Sequence, residues 1–516
     1  MAKRRFDHKP VSFLRYAVYA AAGLSIAVYC AIALLRMRYP FELEWMEGCM
    51  VDHVRRILAG QSVYARPSLE FTAYPYTPFY YYVSAAVARF TGIGFLPLRL
   101  VSFLSSLGCF AVIFAMVRRE TRSAFPAAVA AGLFAAAYRV TGAWFDIARV
   151  DSLFLLLVLL TLYFVRFAVS WRAYTAAAIL ASLAFFTKQA ALAVLPPVML
   201  FAVIRRPRSG ILFSCAIVLA TGAGIWLIDR SSDGWFSFYT LYLPRVHPLM
   251  RSALVRFWTQ DILPPLSIAF VVCLVYAVSL LSSFRRNSLF YPMTAAGMIG
   301  ASWYSTLIAG AYANDLIPAC AAIAILFGLG IHKAFETGGY LPAEKRPLGE
   351  IAICILCLIQ FGCLTYNPLR QIPRKRDLAA GQALIRTMAA MKGEVLLPFH
   401  GYIPVLAGKD SAAQEQAVSD TIAMADPRAT ASLVSELKRG LRSGRFSAII
   451  TDRRWFQQDL QRYYVKQRTV FADDDVFWPV TGAHVRPQDI WVPKLKTPLE
   501  STPASRSVAR REAGSS

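Results

Sequence analysis

The sequence predicts an all-α polytopic membrane protein that ends in a small water-soluble α/β domain. Of the 516 residues, 57% are hydrophobic and only 17% are charged, and the apolar residues form long blocks with charges at their edges. An apolar block of about 20 residues can cross a bilayer as a helix, because a helix satisfies its own backbone hydrogen bonds. From about residue 367 the composition becomes that of a soluble domain.

Eleven apolar blocks are predicted to be transmembrane helices. They cover residues 13–36, 95–117, 124–143, 150–168, 173–187, 190–204, 211–229, 262–283, 289–309, 316–334 and 350–366. The first block is too long for a signal-peptide core and no small-residue cleavage site follows it, so we expect a retained anchor. An odd number of crossings places the two termini on opposite sides of the membrane.

The positive charges predict which side is cytoplasmic. Short loops rich in Lys and Arg mark the cytoplasmic side of a membrane protein. Such clusters recur between alternate apolar blocks, at Lys3-Arg4-Arg5, Arg118-Arg119, Arg205-Arg206-Pro207-Arg208, Arg285-Arg286 and Lys345-Arg346. The N-terminus is therefore predicted to be cytoplasmic and the C-terminus extracytoplasmic. Nucleic-acid binding needs one contiguous basic face, which this scattered charge of +24 does not form.

The first outside loop, residues 37–94, contains no clear span. Residues 45–58 predict a short amphipathic helix that ends at Gly60. Residues 78–90 are apolar and aromatic but too few to cross, which favours an interfacial helix. If this segment crossed the membrane, every later loop would change sides, and the clusters at Arg118 and Arg205 would lie outside.

Three regions follow: a transmembrane domain at 1–366, a soluble extracytoplasmic domain at 367–495 and a Ser/Pro/Arg-rich disordered tail at 496–516. Within the soluble domain we expect short buried strands and one helix, at 394–398, 447–451 and 427–440 respectively. No metal site is predicted. The acidic run 473–475 lacks the spacing and glycine of an EF-hand, and Cys354 and Cys357 lie in a continuous apolar stretch, where cysteine packs as a small apolar residue.

Apart from the cytoplasmic Lys and Arg clusters, a second set of ionisable and amide residues lies at the ends of the predicted spans on the outer face. Such groups near membrane depth are costly and therefore candidates for function. They are Glu44 and Glu47 after the first span, Asp146, Arg149 and Asp151 before the fourth, Lys188-Gln189 before the sixth and Asn314-Asp315 before the tenth. Structural roles remain open for several: Asp151 and Asn314-Asp315 as helix caps, Arg149 as a partner of Asp146 or Asp151, and Lys188 as a snorkelling side chain.

Several of these elements, in this order, resemble the GT-C fold glycosyltransferases, which include the protein O-mannosyltransferases and the lipid A aminoarabinose transferase. The resemblance covers roughly residues 37–320 and its bacterial branch has similar elements. It rests on Glu47-Gly48, Gly60, Tyr64, the element Tyr74-Pro75-x-x-Pro78, Ala148-Arg149-Val150-Asp151 and Lys188-Gln189.

The resemblance implies a polyprenyl-phosphate-linked sugar donor and a multi-pass protein of a bacterial inner membrane with an extracytoplasmic active site. Glu47 matches the catalytic first-loop acid, with Glu44 as the second candidate, although an adjacent Asp-Glu pair is usual there. A carboxylate would take the acceptor's proton, while Arg149 and Lys188 would stabilise the departing phosphate. Substrate contacts are also expected from Tyr74, Asp151, Gln189, Asn314 and Asp315. No metal or other cofactor is expected.

The expected acceptor is a cell-envelope glycan, a lipid or a protein, and the lipid bilayer is the third partner. Two other functions remain open. A transporter or flippase of lipid-linked sugars would show inverted repeats or discontinuous helices at mid-membrane, and neither is evident in the sequence. A non-catalytic assembly partner would use residues 367–516 as a binding module, and would lose its role when they are deleted.

Overall fold

The computed structural model describes residues 9–282, 286–338, 342 and 345–494. The predicted tail at 496–516 lies outside the described residues. The rest is mainly helical with one small sheet, which confirms the predicted fold class.

The membrane part of the chain is built from helices of very different lengths. They are α1 (Lys9–Arg36), α2 (Glu47–Leu58), α3 (Phe79–Thr91), α4 (Phe95–Thr121), α5 (Ala124–Ala136), α6 (Asp151–Phe167), α7 (Trp171–Phe185), α8 (Ala191–Arg205), α9 (Pro207–Ser231), α10 (Trp235–Ser237), α11 (Ala253–Arg256), α12 (Leu263–Ser282), α13 (Phe290–Thr306), α14 (Ile317–Gly338) and α15 (Arg346–Cys363). Every predicted apolar block corresponds to one of these helices. Within the described residues, six helical segments are long and apolar enough to cross a membrane, so the total of eleven crossings stays a prediction.

One predicted span ends too late. The block at 124–143 becomes a helix only as far as Ala136, and residues 137–150 form turns. Gly142 has a backbone φ of +74°, which glycine adopts readily. The apolar side chains that follow, such as Trp144 and Phe145, are buried by the fold rather than by lipid. Hydropathy does not distinguish these two kinds of burial.

Polar contacts sort the helix ends into two groups. At one end of the bundle Arg15 pairs with Glu350, Arg166 pairs with Glu120, and Arg205 donates to the Val165 carbonyl. At the other end Arg36 pairs with Asp146, Lys188 pairs with Asp315, and Thr77 donates to the Phe185 carbonyl. Successive helices thus run in opposite directions between these two ends, as the predicted crossings require. Which end faces the cytoplasm stays a prediction.

The centre of the bundle is α14. In its most apolar 18-residue stretch 89% of the residues are buried, against 11% for the corresponding stretch of Pro207–Ser231. Small residues let neighbouring helices approach α14 closely: a Cβ on Gly328 would lie 2.7 Å from the Pro126 carbonyl oxygen of α5. Because α14 is central, the turn that precedes it, Ala313–Leu316, lies at the end of the bundle among the other helix ends.

The C-terminal domain combines helices with a four-stranded sheet. Its elements are α16 (Lys375–Ala390), β1 (Glu394–Leu396), α17 (Ile403–Leu406), α18 (Glu415–Ala423), α19 (Pro427–Ser443), β2 (Phe446–Thr451), α20 (Gln457–Tyr463), β3 (Tyr464–Thr469) and β4 (Asp489–Pro493). The strand order is β1-β2-β4-β3, with β1 and β2 parallel and the other pairs antiparallel. The segments predicted at 394–398, 447–451 and 427–440 form β1, β2 and α19.

Candidate active site

Charged side chains from distant parts of the chain converge at the bundle end that faces the C-terminal domain. The loop between α1 and α2 brings Glu44, α2 begins with Glu47, and the turn before α6 brings Arg149. All three are buried. Because isolated charges are costly to bury, each must be paired, and the pairs differ in an informative way.

The carboxylate of Glu47 is fully engaged. Arg99 donates from Nε to Oε1 at 3.0 Å and from Nη2 to Oε2 at 2.6 Å, and neither side chain is exposed. The backbone amides of Ala148 and Leu43 each donate to one oxygen at 2.6 Å. Burial alone would raise the pKa of Glu47, but Arg99 and these amides hold it below its usual value. Glu47 is thus a stable anion that connects the loop before α2, helix α4 and the turn before α6.

The carboxylate of Glu44 is only half engaged. Oε2 accepts from Nη1 of Arg149 at 3.0 Å, whereas Oε1 has no hydrogen-bond partner among the described residues. Burial raises the pKa of Glu44 to about 8, with Arg149 opposing the shift and Glu47 adding to it. A buried carboxylate with a free oxygen and a pKa near neutrality is suited to accept a proton.

Arg149 also contacts aromatic side chains. Its Nη2 donates to the Tyr76 hydroxyl at 2.7 Å, and its guanidinium lies 5.4 Å from the Tyr76 ring and 5.3 Å from the Trp144 ring. Nε is buried and has no hydrogen-bond partner in the part of the chain that the structure describes. The guanidinium is therefore held in place with one donor unused.

A second cluster lies beside the first and is centred on Lys188. Its Nζ donates to Asp151 at 2.7 Å and to Asp315 at 3.1 Å. Asp151 also accepts from Asn314 at 3.1 Å and from the Trp144 indole at 3.0 Å. Residues predicted from three separate span ends thus form one network. Among the described residues, no group of three His, Cys, Asp or Glu side chains is arranged to hold a metal ion.

Gln189 and Tyr74 lie at the edge of this region. The Gln189 amide donates to the Pro75 carbonyl at 2.6 Å and to the Thr240 carbonyl at 3.1 Å. The Tyr74 hydroxyl donates to Gln414 of the C-terminal domain at 2.6 Å. Tyr76, two residues later, makes the contact with Arg149. The predicted substrate contact of Tyr74 stays a prediction.

An open groove of about 400 Å³ lies beside the turn before α14. Its lining includes Tyr312 and Ala313, which precede Asn314 and Asp315 in sequence. The Tyr312 ring stacks on Trp144 at 6.0 Å, and Arg256 and Asp261 also line the groove. The side chains of Asp151, Lys188 and Asp315 line a separate, smaller cavity of about 10 Å³.

Several buried groups were not predicted from the sequence. Arg99 and Arg36 are single arginines at span ends, where they look like ordinary flanking charges, although Arg36 pairs with the noted Asp146. His400 lies between Glu42 and Asp452, which are far apart in sequence. A lone arginine inside or at the end of an apolar span is a signal that could have identified Arg99.

A helical bundle with charged loop residues gathered at one end, capped by a soluble domain, defines a class: a multi-pass membrane protein of the GT-C fold. ArnT from Cupriavidus metallidurans is similar, with a TM-score of 0.59, 13% identity and coverage of 92% of this chain and 97% of ArnT. Its structure with undecaprenyl phosphate bound matches with a TM-score of 0.58 at 13% identity, covering 93% of this chain and 98% of that one.

The archaeal oligosaccharyltransferase AglB from Archaeoglobus fulgidus, in complex with an inhibitory peptide and a dolichol phosphate, has a TM-score of 0.53 at 11% identity, covering 85% of this chain and 70% of AglB. Residues 75–210 match the family model for dolichyl-phosphate-mannose-protein mannosyltransferase. No curated protein sequence matches the chain. These likenesses confirm the predicted GT-C fold.

Proposed function

We propose that this protein is a membrane glycosyltransferase that transfers one sugar, a hexose or a pentose, from a polyprenyl phosphate to an extracytoplasmic acceptor. Two fold relatives support the donor class, since ArnT is seen with undecaprenyl phosphate and AglB with dolichol phosphate. The matching family model describes a transferase that uses a dolichyl phosphate sugar. The acceptor is a glycan, a lipid or a protein of the cell envelope of a bacterium with this enzyme in its inner membrane.

The observation that carries the proposal is the Glu44–Arg149 pair. It offers a buried carboxylate oxygen without a partner beside a buried guanidinium with an unused donor. One group can take a proton while the other faces a developing negative charge. Glycosyl transfer from a phosphate requires both functions together.

In the proposed reaction the acceptor hydroxyl attacks the anomeric carbon of the donor sugar. Its proton passes to Oε1 of Glu44 as the new glycosidic bond forms. The bond between the anomeric carbon and the phosphate oxygen breaks, and that oxygen keeps the electron pair. Arg149 and Lys188 stabilise the polyprenyl phosphate that leaves.

In the proposed reaction Lys188 provides a cation and no resident metal ion is involved. Its ammonium group already lies between the carboxylates of Asp151 and Asp315. Asn314 donates to Asp151 and so belongs to the same network. We propose that protein cations, rather than a metal, meet the donor phosphate.

Glu47 remains the second candidate for the base. It matches the family position, but each of its oxygens already accepts two hydrogen bonds. The free oxygen and raised pKa of Glu44 support Glu44 better. On this proposal Glu47 positions the loop and Glu44 performs the proton transfer.

The test uses purified protein in proteoliposomes, a panel of radiolabelled hexosyl and pentosyl polyprenyl phosphates and a cell-envelope extract as acceptor. Glu44→Gln is compared with Glu120→Gln, which alters a carboxylate–arginine pair at the opposite end of the bundle. We expect transfer by the wild type and by Glu120→Gln, and a fall of about 10²–10⁴-fold in Glu44→Gln.

Equal transfer by both variants would move the base away from Glu44. If no donor is consumed but labelled donor crosses sealed vesicles, the protein is a flippase and the proposed function is wrong. Thermal unfolding of each variant in detergent separates lost chemistry from lost folding.

A further inference from the structure

The C-terminal domain contacts three consecutive residues of the segment that carries Glu44. His400 forms a hydrogen bond with the Glu42 carboxylate. The Thr481 amide donates to the Leu43 carbonyl at 3.2 Å. The backbone of Gly482 lies against Glu44 itself, so closely that a Cβ on Gly482 would lie 2.6 Å from the Glu44 Cγ.

The first contact is part of a buried ion triad. His400 Nε2 lies 2.7 Å from Asp452 Oδ2, while Nδ1 faces Glu42, and all three side chains are buried. Burial alone would lower the pKa of His400, but Asp452 and Glu42 raise it to about 10. The imidazolium therefore donates to both carboxylates at neutral pH. Asp452 follows β2, so the sheet holds this end of the triad in place.

The second and third contacts come from residues 477–485, the segment before β4. The Thr481 hydroxyl donates to the carbonyl of Gly142, in the turn that leads to Arg149. The same segment therefore binds both sides of the Glu44–Arg149 pair. Gly482 has a φ of +78°, and its lack of a side chain leaves room for Glu44.

We infer that the C-terminal domain completes the active site, with His400 and Gly482 as positioning residues for Glu44. This inference rests on the proposed function of Glu44 as the base. His400 fixes the start of the segment through Glu42, and Gly482 sets the distance between the domain and the Glu44 side chain. Neither residue exchanges a proton with the substrate.

Other contacts attach the domain to the bundle independently of these residues. Phe41 packs in a cluster with Leu384, Met388 and Phe477. The Tyr402 ring contacts the Phe95 ring of α4 at 5.5 Å. A change at Gly482 therefore leaves the domain docked, and its effect on Glu44 can be measured.

The experiment compares Gly482→Ala with Gly408→Ala in the full-length protein. Both glycines lie in the C-terminal domain with positive φ, +78° and +70°, but a Cβ on Gly408 meets nothing within 4 Å. The two variants thus carry similar backbone strain and differ in the contact with Glu44. We expect Gly482→Ala to lower kcat by about 10²-fold with the donor KM unchanged, since a displacement of about 1 Å has that effect. Gly408→Ala should keep the wild-type kcat.

A second pair of variants addresses the ion triad. His400→Gln is compared with His247→Gln, which alters a partly buried histidine of the membrane part that contacts Asp420 of the C-terminal domain at 3.4 Å. Hydrogen–deuterium exchange of the peptide covering residues 42–48 reports the position of the segment without any substrate. We expect faster exchange in His400→Gln and Gly482→Ala, and wild-type exchange in His247→Gln and Gly408→Ala.

The inference is overturned if Gly482→Ala matches Gly408→Ala in both kcat and exchange. A fall in kcat that only follows the folded fraction would also overturn it, because it would show a general effect on stability. If the wild type transfers no sugar, the proposed function fails, and the exchange measurements still decide whether the domain holds residues 42–48.

Discussion

Two buried carboxylate–arginine pairs have their carboxylates three residues apart, one in the loop before α2 and one at its first residue, and they differ in which atoms lack a hydrogen-bond partner. The Glu47–Arg99 pair uses both oxygens and is further bound by two backbone amides. The Glu44–Arg149 pair uses one oxygen, and its other oxygen and one guanidinium nitrogen have no partner among the described residues. A saturated pair organises structure, whereas an unsaturated pair retains the capacity to bind or react.

The difference also separates the carboxylate that the resemblance predicts as the base from the carboxylate that the geometry supports. Glu47 matches the expected acid by its place before Gly48, but its pKa is lowered and its lone pairs are occupied. Glu44 has no such match, yet burial raises its pKa to about 8. Variants of the two pairs test this distinction.

Glu47→Gln should destabilise the protein by about 3–5 kcal/mol, the cost of breaking a buried ion pair. Each oxygen of Glu47 accepts from Arg99 and from a backbone amide, and the NH₂ group of glutamine cannot replace one of these oxygens. Arg99 would keep a buried charge without its partner. Thermal and denaturant unfolding in detergent measure the loss. Native stability with abolished transfer would instead identify Glu47 as the base and reverse the comparison.

Arg149→Gln should lower kcat by about 10²–10³-fold, the usual effect of removing one donor to a developing anion. Its effect on stability should be smaller than that of Glu47→Gln, because the raised pKa lets Glu44 become neutral when the arginine is gone. Arg149→Lys serves as the matched control, since it keeps the charge but loses the contact with Tyr76. An unchanged kcat in Arg149→Gln would exclude this pair from the chemistry.

The sequence predicted the helical bundle and much of the site because both leave local signals. Apolar blocks identify spans, and Asp151, Lys188 and Asp315 stand out as ionisable groups at span ends. The structure adds that these three contact one another. Their convergence depends on how helices pack, which no local pattern encodes.

Other elements leave no local signal. The strand β3 buries only Tyr464 among its residues, so it has no alternation of buried and exposed positions. His400 and Asp452 meet through the parallel pairing of β1 with β2, a contact between distant segments. Arg99 is the fifth residue of α4, close to the start of a span, where flanking charges are common. Each of these three, the strand, the histidine–aspartate contact and the buried arginine, depends on residues that are far apart in the sequence.

The pH dependence of transfer should distinguish the two acids. A base acts in its ionised form, so a carboxylate with a pKa of about 8 gives a rate that rises about tenfold per pH unit up to that value and then levels. Burial is the main cause of the raised pKa and Arg149 opposes it, so Arg149→Gln should move the rise to higher pH. The measurement is kcat/KM between about pH 6 and about pH 10, roughly two units on either side of the expected pKa. A flat profile over this range would contradict Glu44 as the base and agree with the lowered pKa of Glu47.

The smallest effect is expected at Tyr74, and it distinguishes residues that contact the substrate from residues that only stabilise the fold. Tyr74→Phe removes the hydrogen bond to Gln414, at a cost of about 0.5–1.5 kcal/mol. Gln414 keeps its bond from the Gln416 amide at 2.7 Å, so its oxygen retains a partner. Donor KM and kcat should stay at wild-type values, whereas Tyr76→Phe, which removes the acceptor for Arg149, should lower kcat. A raised donor KM in Tyr74→Phe would show that Tyr74 contacts the substrate, as its place in the Tyr-Pro element predicts. The site would then extend from Arg149 to the surface of the C-terminal domain.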